Sequence, residues 1–364
     1  MGCPETTYVS NREYLLDFNA KSARLHVPLS GSLDLTSLCN LRCVHCYTGD
    51  RSGDIAVAEM DTGKVLSLLD EISDAGCLYL LITGGEPLIR KDFPEIYRYA
   101  KGKGLLITVF TNGTLISDSI IRLFKDLPPR VVEISLYGST QQTYESITGV
   151  KDSYEKCLSG IRRLLEHHIN VRLKTILMTL NSHEFSDIEK MAKEFGVKFR
   201  FDAAIFPRLD GDHAPVGLRV SATEAVDKEF SDSERTVQWE KFLDTHRGRS
   251  SSDDLYQCGA GVTSFYIGPQ GSLRPCLMTA LISYDLMKGR FPEGWEEIRS
   301  RIRQKKTSRD YTCNTCEKML FCGYCPAFFE LENGDPQTRS EYLCTMGNRR
   351  YKNLKNTGGM HDAR

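Results

Sequence analysis

The sequence predicts an α/β protein in which a partial barrel of six strand–helix units is followed by a small cysteine-rich domain. Two observations lead to this fold class. Apolar runs alternate with amphipathic segments as far as Phe206, and seven cysteines crowd the stretch from Cys258 to Cys344. Runs rich in Val, Ile, Leu and Phe are typical of parallel strands covered on both faces. We therefore expect a parallel sheet first and a metal-stabilised region second.

Six apolar runs are predicted to be strands, and five amphipathic segments between them are predicted to be helices. The predicted strands are Leu33–Leu38, Leu78–Thr83, Leu105–Thr111, Val131–Leu136, Val171–Met178 and Lys198–Phe206. The predicted helices are Thr62–Ala75, Phe93–Lys103, Ser117–Lys125, Tyr154–His168 and His183–Phe195. Right-handed crossovers curl such units into a barrel, but six units are fewer than the eight that close a TIM barrel. The prediction is thus an open, TIM-like (β/α)6 partial barrel.

Composition shifts divide the chain into five predicted segments. Polar and acidic residues dominate the stretch after the barrel, and from Tyr256 the chain becomes rich in Cys, Gly and Pro. Such a segment has too few apolar residues for a large core, so we expect bound metal to hold it together. The segments are an N-terminal extension (1–30), the barrel (31–206), a bridging region (207–255), the cysteine-rich domain (256–350) and a flexible tail (351–364).

Charge and hydropathy exclude several classes of protein. The 47 Lys and Arg against 48 Asp and Glu give a net charge of −1, which disfavours a nucleic-acid partner. No run approaches the ~20 apolar residues of a membrane helix, and the N-terminus does not read as a secretory signal. We therefore predict a cytoplasmic protein without a membrane partner. In a reducing compartment, its 13 cysteines are better explained as metal ligands than as disulfides.

Three cysteines follow the first predicted strand within eight residues: Cys39, Cys43 and Cys46. In a barrel, that position is a loop at the carboxyl edge of the sheet, where active sites lie. Three thiolates can hold three irons of a four-iron cluster and leave the fourth iron open, since such clusters normally take four cysteines. The alternative is a zinc site with His45 as the fourth ligand.

The Cys-x3-Cys-x2-Cys loop resembles the signature of the radical S-adenosylmethionine (SAM) superfamily. The resemblance implies that the open iron chelates SAM and that the reduced cluster cleaves SAM to methionine and a 5′-deoxyadenosyl radical, which abstracts hydrogen from a substrate. Tyr47 stands where the family usually has an aromatic residue. After the second strand, Gly84, Gly85 and Glu86 look like the family's glycine–glycine–glutamate motif, which binds the SAM amino group.

Three further positions follow from the same resemblance. Asn112 after the third strand and Ser135 at the end of the fourth match family segments that contact the ribose and carboxylate of SAM. Lys174 on the fifth strand would face the barrel interior and meet the SAM carboxylate. The alternatives are ordinary turn chemistry for Asn112 and Ser135, and a solvated side chain for Lys174.

The second cysteine group resembles the SPASM domain of radical SAM enzymes, which holds auxiliary iron–sulfur clusters. By this resemblance, one [4Fe-4S] cluster takes Cys313, Cys316, Cys322 and Cys344. Another takes Cys258, Cys276 and Cys325, and since residues 259–264 contain no Cys, it has an open iron or a non-Cys ligand. The spacing departs from the family pattern, because two residues rather than three separate Cys322 from Cys325. Two Cys-x2-Cys pairs binding zinc are the alternative, but that site leaves three cysteines unused.

With the SAM-binding cluster, the prediction is three [4Fe-4S] clusters and ten ligating cysteines. Cys77 and Cys157 are then buried structural residues, and Cys3 lies in the terminus.

Relatives with such C-terminal clusters mostly modify peptides or proteins. The resemblance therefore implies that a ribosomally synthesised peptide is crosslinked or oxidised, with flavodoxin or ferredoxin as electron donor. Since only 38 residues precede Cys39, we expect a separate protein to recognise the leader peptide. Arg200, Asp202, Arg208 and Asp210 are candidates for orienting the substrate.

Three alternatives to peptide maturation remain open. Formylglycine formation in sulfatases is disfavoured, because Leu277 stands where those maturases carry a carboxylate. Modification of tetrapyrrole side chains is the second. A zinc- or cluster-binding interaction protein is the third, although such a protein needs no Gly-Gly-Glu motif.

Overall fold

Nine strands of the computed structural model, which describes residues 11–49, 58–246 and 252–356, form a single sheet within those residues. They are β1 Ser30–Asp34, β2 Tyr79–Thr83, β3 Leu106–Thr111, β4 Val131–Ser135, β5 Val171–Ile176, β6 Lys198–Asp202, β7 Ser264–Ile267, β8 Ser272–Arg274 and β9 Tyr284–Asp285. The spatial order is β6-β5-β4-β3-β2-β1-β7-β8-β9. The strands from β1 to β6 all pair in parallel, which confirms the predicted partial barrel.

Thirteen α-helices lie in the same described ranges. They are α1 Asn11–Arg24, α2 Thr62–Asp74, α3 Phe93–Gly102, α4 Asp118–Asp126, α5 Gln141–Thr148, α6 Ser153–Glu166, α7 Phe185–Glu194, α8 Ala222–Phe230, α9 Ser233–His246, α10 Phe291–Arg303, α11 Met319–Cys322, α12 Pro326–Asn333 and α13 Glu341–Asn356. The five predicted helices correspond to α2, α3, α4, α6 and α7. Local signals explain their starts: Asp61 caps α2 and Ser117 caps α4 by accepting backbone N–H bonds. The sequence did not predict α1 or the short α5.

The first strand differs in its bounds from the prediction. It begins at Ser30 and ends at Asp34, so the apolar residues that follow it belong to a loop. Leu35 N–H still bonds to Thr83 O at 3.0 Å, but Thr36 O then accepts from Gly85 N at 2.7 Å. The chain leaves the sheet here because its backbone groups pair with the turn after β2.

The cysteine-rich segment extends the barrel sheet. Strand β7 pairs in parallel with β1, and β8 and β9 continue antiparallel. Phe265 packs edge-on against Phe291 with ring centroids 4.9 Å apart, and both lie in the main hydrophobic core. Gly31 makes this possible, because an added Cβ would lie 2.2 Å from the Phe265 ring. Part of this segment therefore joins the main core, which the sequence did not predict, whereas the stabilising role of bound metal and the domain boundaries remain predictions.

The prediction of a flexible tail from Tyr351 is wrong as far as Asn356. Helix α13 continues to that residue, and Leu354 is fully buried in a hydrophobic cluster with Phe321. The rest of the predicted tail, residues 357–364, lies outside the described residues, as does Cys3. No helix in the described part of the chain is long and apolar enough to cross a membrane.

We expect Gly160→Ala to destabilise the fold, because α6 packs its backbone against the loop after β3. A Cβ at this position would lie 2.0 Å from Gly113 O, a backbone atom that has little room to move. We expect the free energy of unfolding to fall by about 2 kcal/mol. Urea unfolding followed by circular dichroism measures this change.

Gly102→Ala at the end of α3 is the matched control, since no atom lies within 4 Å of the added Cβ. It should change stability by less than about 1 kcal/mol. Equal effects of the two substitutions would contradict the packing argument.

Candidate functional site at the carboxyl edge of the sheet

A cavity of about 400 Å³ opens at the carboxyl edge of the parallel strands. Its wall takes residues from the ends of β1 to β6, and Tyr266 and Leu277 close it from the C-terminal part of the chain. Most of the residues predicted to bind SAM and its cluster line this cavity: Cys39, Cys43, Cys46, Tyr47, Gly84, Gly85, Asn112, Ser135 and Lys174. The structure therefore brings together residues that are spread over more than a hundred positions.

The cysteine loop is anchored to the end of α5. Arg42 N–H bonds to Thr148 O at 2.8 Å, and Val44 N–H bonds to Ile147 O at 3.0 Å. Gly149 ends the helix in the left-handed conformation (φ +67°), where an added Cβ would lie 2.9 Å from Arg42 O. These contacts place the thiols in the cavity without using their side chains.

The three thiols gather around Tyr137. Burial raises the pKa of the Tyr137 hydroxyl well above its usual value, and Cys43, Cys46 and Cys39 raise it further. His45, the fourth ligand of the zinc alternative, packs edge-on against the Tyr137 ring at 4.6 Å, and burial lowers its pKa to about 4. Among the described residues, no three His, Cys, Asp or Glu side chains surround a point where one metal ion could bind. A four-iron cluster needs no such point, since each thiolate bonds a different iron.

The turn after β2 presents its backbone to the cavity. Gly84 has φ +135°, and an added Cβ would lie 2.5 Å from Thr36 O, so only glycine allows this approach. Glu86 is fully buried and is not among the described residues that line the cavity. Burial raises the pKa of its carboxyl to about 7, although hydrogen bonds from Asn112 and Thr111 oppose the shift.

Charged side chains occupy the barrel interior beside the cavity. The Lys174 ammonium lies 3.2 Å from the centroid of the Phe110 ring, and burial, followed by repulsion from Arg200, lowers its pKa to about 7. Arg200 donates to the buried Glu133 carboxylate at 2.7 Å. Arg200 and Asp202 line the cavity. Of the other two candidates for orienting substrate, Arg208 is paired with Asp212 at 2.6 Å.

The sequence reasoning did not single out two residues that form a hydrogen bond in the cavity wall. Asp34 at the end of β1 is 4% exposed, and Tyr266 on β7 donates its hydroxyl to Asp34 Oδ2 at 2.8 Å. An acidic residue between Leu33 and Leu35 is a signal that could have identified Asp34. No local signal identifies Tyr266, because its place depends on the pairing of β7 with β1.

The remaining ligand candidates fall into two spatial sets. Burial raises the pKa of Cys322 to about 12, and the neighbouring thiols of the first set, Cys313, Cys316 and Cys344, raise it further. Burial raises the pKa of Cys325 to about 12, and the thiols of the second set, Cys276 and Cys258, act in the same direction. These sets are the ones that the resemblance implies, while their roles as cluster ligands remain a prediction.

Tyr256 lies near the three-cysteine set. Burial is the main cause that raises the pKa of its hydroxyl, and Glu330 and the three cysteines raise this pKa further. Cys77 and Cys157 are buried, as predicted.

The comparisons with known proteins give one family match and several relatives of similar sequence. Residues 33–195 match the family model of the Radical SAM superfamily. The AdoMet-dependent heme synthase of Methanosarcina barkeri is 24% identical over 345 residues, which cover 86% of this chain and 95% of that protein. The antilisterial bacteriocin subtilosin biosynthesis protein AlbA of Bacillus subtilis is 28% identical over 316 residues, 82% of this chain and 66% of that protein.

Solved structures show the same fold. Streptococcus suis SuiB bound to its precursor peptide SuiA superposes with a TM-score of 0.70 at 16% identity, over 94% of this chain and 84% of that one. SuiB bound to S-adenosylmethionine gives a TM-score of 0.68 at 15% identity, over 94% and 83%. At this identity, the likeness extends to the fold alone.

We expect Glu184 to stabilise the site from outside the cavity. Its buried carboxylate accepts from the hydroxyls of Thr140 and Thr143 at 2.6 Å and from Ser139 N at 2.7 Å, which holds the start of α5 and thus the helix that anchors the cysteine loop. Burial raises the pKa of Glu184, but these bonds outweigh it and lower the pKa from 4.5 to about 2. Glu184→Gln should cost about 2 kcal/mol at neutral pH.

The sign of the pH dependence follows from the lowered pKa. The contribution of Glu184 is fully present above pH 4.5 and disappears as the pH falls towards 2, so the stabilities of wild type and variant should converge over that interval. Urea unfolding from pH 7 to pH 2.5 measures this convergence. A difference that stays constant with pH would contradict the role of the charge.

Proposed function

This chain carries a radical SAM domain at residues 33–195, and on that premise we propose that its cavity binds SAM beside a [4Fe-4S] cluster and acts on a ribosomally synthesised peptide. The observation that carries the proposal is the convergence of Cys39, Cys43 and Cys46 with the Gly84–Gly85 backbone in one cavity. Three thiolates and one open iron suit a cluster that also binds a small molecule. When bound, the cluster and SAM supply the radical chemistry, which is reductive cleavage of SAM and hydrogen abstraction.

Residues of the cavity wall would hold SAM in position and keep water away from it. The cavity offers Asn112, Ser135 and Lys174 as polar partners for the ribose and carboxylate of SAM. Apolar side chains on the wall, Phe110, Ile176 and Phe206, exclude water from a reactive carbon radical. The volume of about 400 Å³ lies in the range of cavities that bind small molecules in proteins.

We propose two auxiliary [4Fe-4S] clusters on the two spatial sets of cysteines. The four-cysteine set can ligate a cluster completely, whereas the three-cysteine set leaves an iron for a non-Cys ligand or for substrate. Iron and sulfide analysis of the reconstituted chain distinguishes three clusters from one. Flavodoxin or ferredoxin as electron donor and a separate leader-recognition protein remain proposals that follow from the peptide function.

A peptide substrate is supported by the biosynthesis protein AlbA and by the fold shared with SuiB, which was solved with its precursor peptide. Tetrapyrrole modification is the second candidate. The heme synthase aligns along 95% of its own length, and the cationic Arg200 lies in the cavity wall, where a substrate carboxylate would find a partner.

We expect Cys43→Ala to abolish SAM cleavage, because the cluster would lose one of its three thiolates. The assay is anaerobic reconstitution with iron and sulfide, reduction with dithionite, and detection of 5′-deoxyadenosine by mass spectrometry. Cys77→Ala is the matched control, since Cys77 is buried beside β2 and does not line the described cavity. Its activity should remain within about twofold of wild type, as expected for a distant site.

A wild-type chain that binds zinc without iron, or that forms no 5′-deoxyadenosine, would overturn the proposed function.

The two substrate candidates predict different products. With peptides encoded beside the gene, we expect a mass loss of hydrogen that indicates a crosslink or oxidation. With iron-free and iron-loaded porphyrins, the second candidate predicts binding, visible as a shifted Soret absorbance, and side-chain modification. If porphyrins are modified and peptides are not, tetrapyrrole modification replaces peptide maturation as the proposed function.

A further inference from the structure

We propose that Glu86 is a positioning residue: its carboxylate fixes the loops that carry Asn112 and Cys39, and it does not itself contact SAM. This inference rests on the proposed SAM site and changes the role that the Gly-Gly-Glu resemblance implied for the glutamate. Four features of the turn after β2 support it.

The first feature is that the carboxylate is already occupied. Oε1 accepts from Leu88 N at 3.2 Å and from Thr111 Oγ1 at 2.8 Å, and Oε2 accepts from Asn112 N at 2.7 Å. The side chain has no exposed surface. Because no part of the carboxylate is exposed, a ligand ammonium could reach it only if the surrounding loops moved and gave up some of these hydrogen bonds, which is costly.

The second feature is the relay from Glu86 to the cysteine loop. Glu86 binds the backbone N–H of Asn112, and the Asn112 side-chain amide donates to Asn40 Oδ1 at 2.8 Å. The same amide nitrogen lies 4.0 Å from Cys39 Sγ. A shift of the Asn112 backbone would therefore be transmitted to the loop that carries the first cysteine.

The third feature is that the same turn also holds the residues ahead of Cys39. Glu86 N–H bonds to Leu38 O at 2.9 Å, and Gly85 N–H bonds to Thr36 O at 2.7 Å. The loops after β1, β2 and β3 thus form a closed triangle of hydrogen bonds, and the Glu86 carboxylate makes the contact between the second and the third.

The fourth feature is that only glutamate satisfies this geometry. A carboxylate has two acceptor oxygens, whereas glutamine has one and would turn an NH₂ group towards a backbone N–H. Aspartate is one methylene shorter and cannot span the same distance. The cavity surface of the turn is left to the backbone of Gly84 and Gly85, whose carbonyl groups can accept from an ammonium.

The test compares Glu86→Gln with Glu95→Gln, an exposed glutamate on α3 that loses the same charge. Hydrogen exchange of the segment 106–114 is measured by mass spectrometry on the reconstituted full chain without SAM. The dissociation constant for SAM is measured separately by equilibrium dialysis. We expect Glu86→Gln to speed exchange at Asn112 and Gly113 and to weaken SAM binding, each by about tenfold, and Glu95→Gln to change neither.

A direct contact with SAM predicts another pattern. Weaker SAM binding with unchanged exchange in the absence of SAM would overturn the positioning role.

Thr111→Val supplies a second variant in case Glu86→Gln does not fold. It removes one donor to the carboxylate and also the acceptor of Gly113 N–H, but it leaves the carboxylate in place, so positioning predicts faster exchange at Asn112 and not only at Gly113. The effects of the two substitutions on SAM binding should be less than multiplicative when combined, since both act through one contact. Unchanged exchange in Thr111→Val would count against the proposal. If the wild type does not bind SAM, the proposed function fails, while the exchange measurement still decides the role of Glu86.

Discussion

The hydrogen bonds between the loop after β1 and the turn after β2 are the constraint on which the site depends. Gly85 N–H and Glu86 N–H bind carbonyl groups of Thr36 and Leu38, directly ahead of the first cysteine. This seam requires Gly84, because the backbone of Thr36 passes where a Cβ would stand. These bonds therefore fix the direction in which the cysteine loop leaves the sheet. Two further backbone hydrogen bonds join the loop to the end of α5. The thiols can be placed in the cavity before any cluster is bound.

The pairing of β7 with β1 connects the two cysteine regions of the chain. It places Tyr266 and Leu277 in the wall of the cavity, next to the predicted SAM site. A second cavity of about 460 Å³ adjoins the first inside the barrel, shares Phe110 and Leu277 with it, and reaches Cys276. Cys276, a proposed ligand of an auxiliary cluster, thus lines the same barrel interior as the proposed radical site. That arrangement suits exchange of electrons with a substrate.

Polarity in the barrel interior has a structural reason. Closed barrels fill their centre with apolar side chains, but this sheet is open and leaves two cavities among its inward-facing residues. Glu133 balances Arg172 and Arg200 at 3.1 and 2.7 Å. Lys174 packs on Phe110 and has a depressed pKa. The buried Glu133 is thus paired with two guanidinium groups, whereas burial favours the neutral form of Lys174.

The sequence by itself determined the features that depend on neighbours along the chain. Strand and helix periodicity predicted the six βα units, and the spacing of Cys39, Cys43 and Cys46 predicted a cluster site at the carboxyl edge of the sheet. Only the tertiary structure decided how distant segments meet. Asp34 and Tyr266 are 232 residues apart and touch through strand pairing. The enclosure of Glu86 likewise depends on Thr111 and Asn112 from another loop. Local patterns contain no such information, because register and burial arise from contacts between strands that the sequence separates.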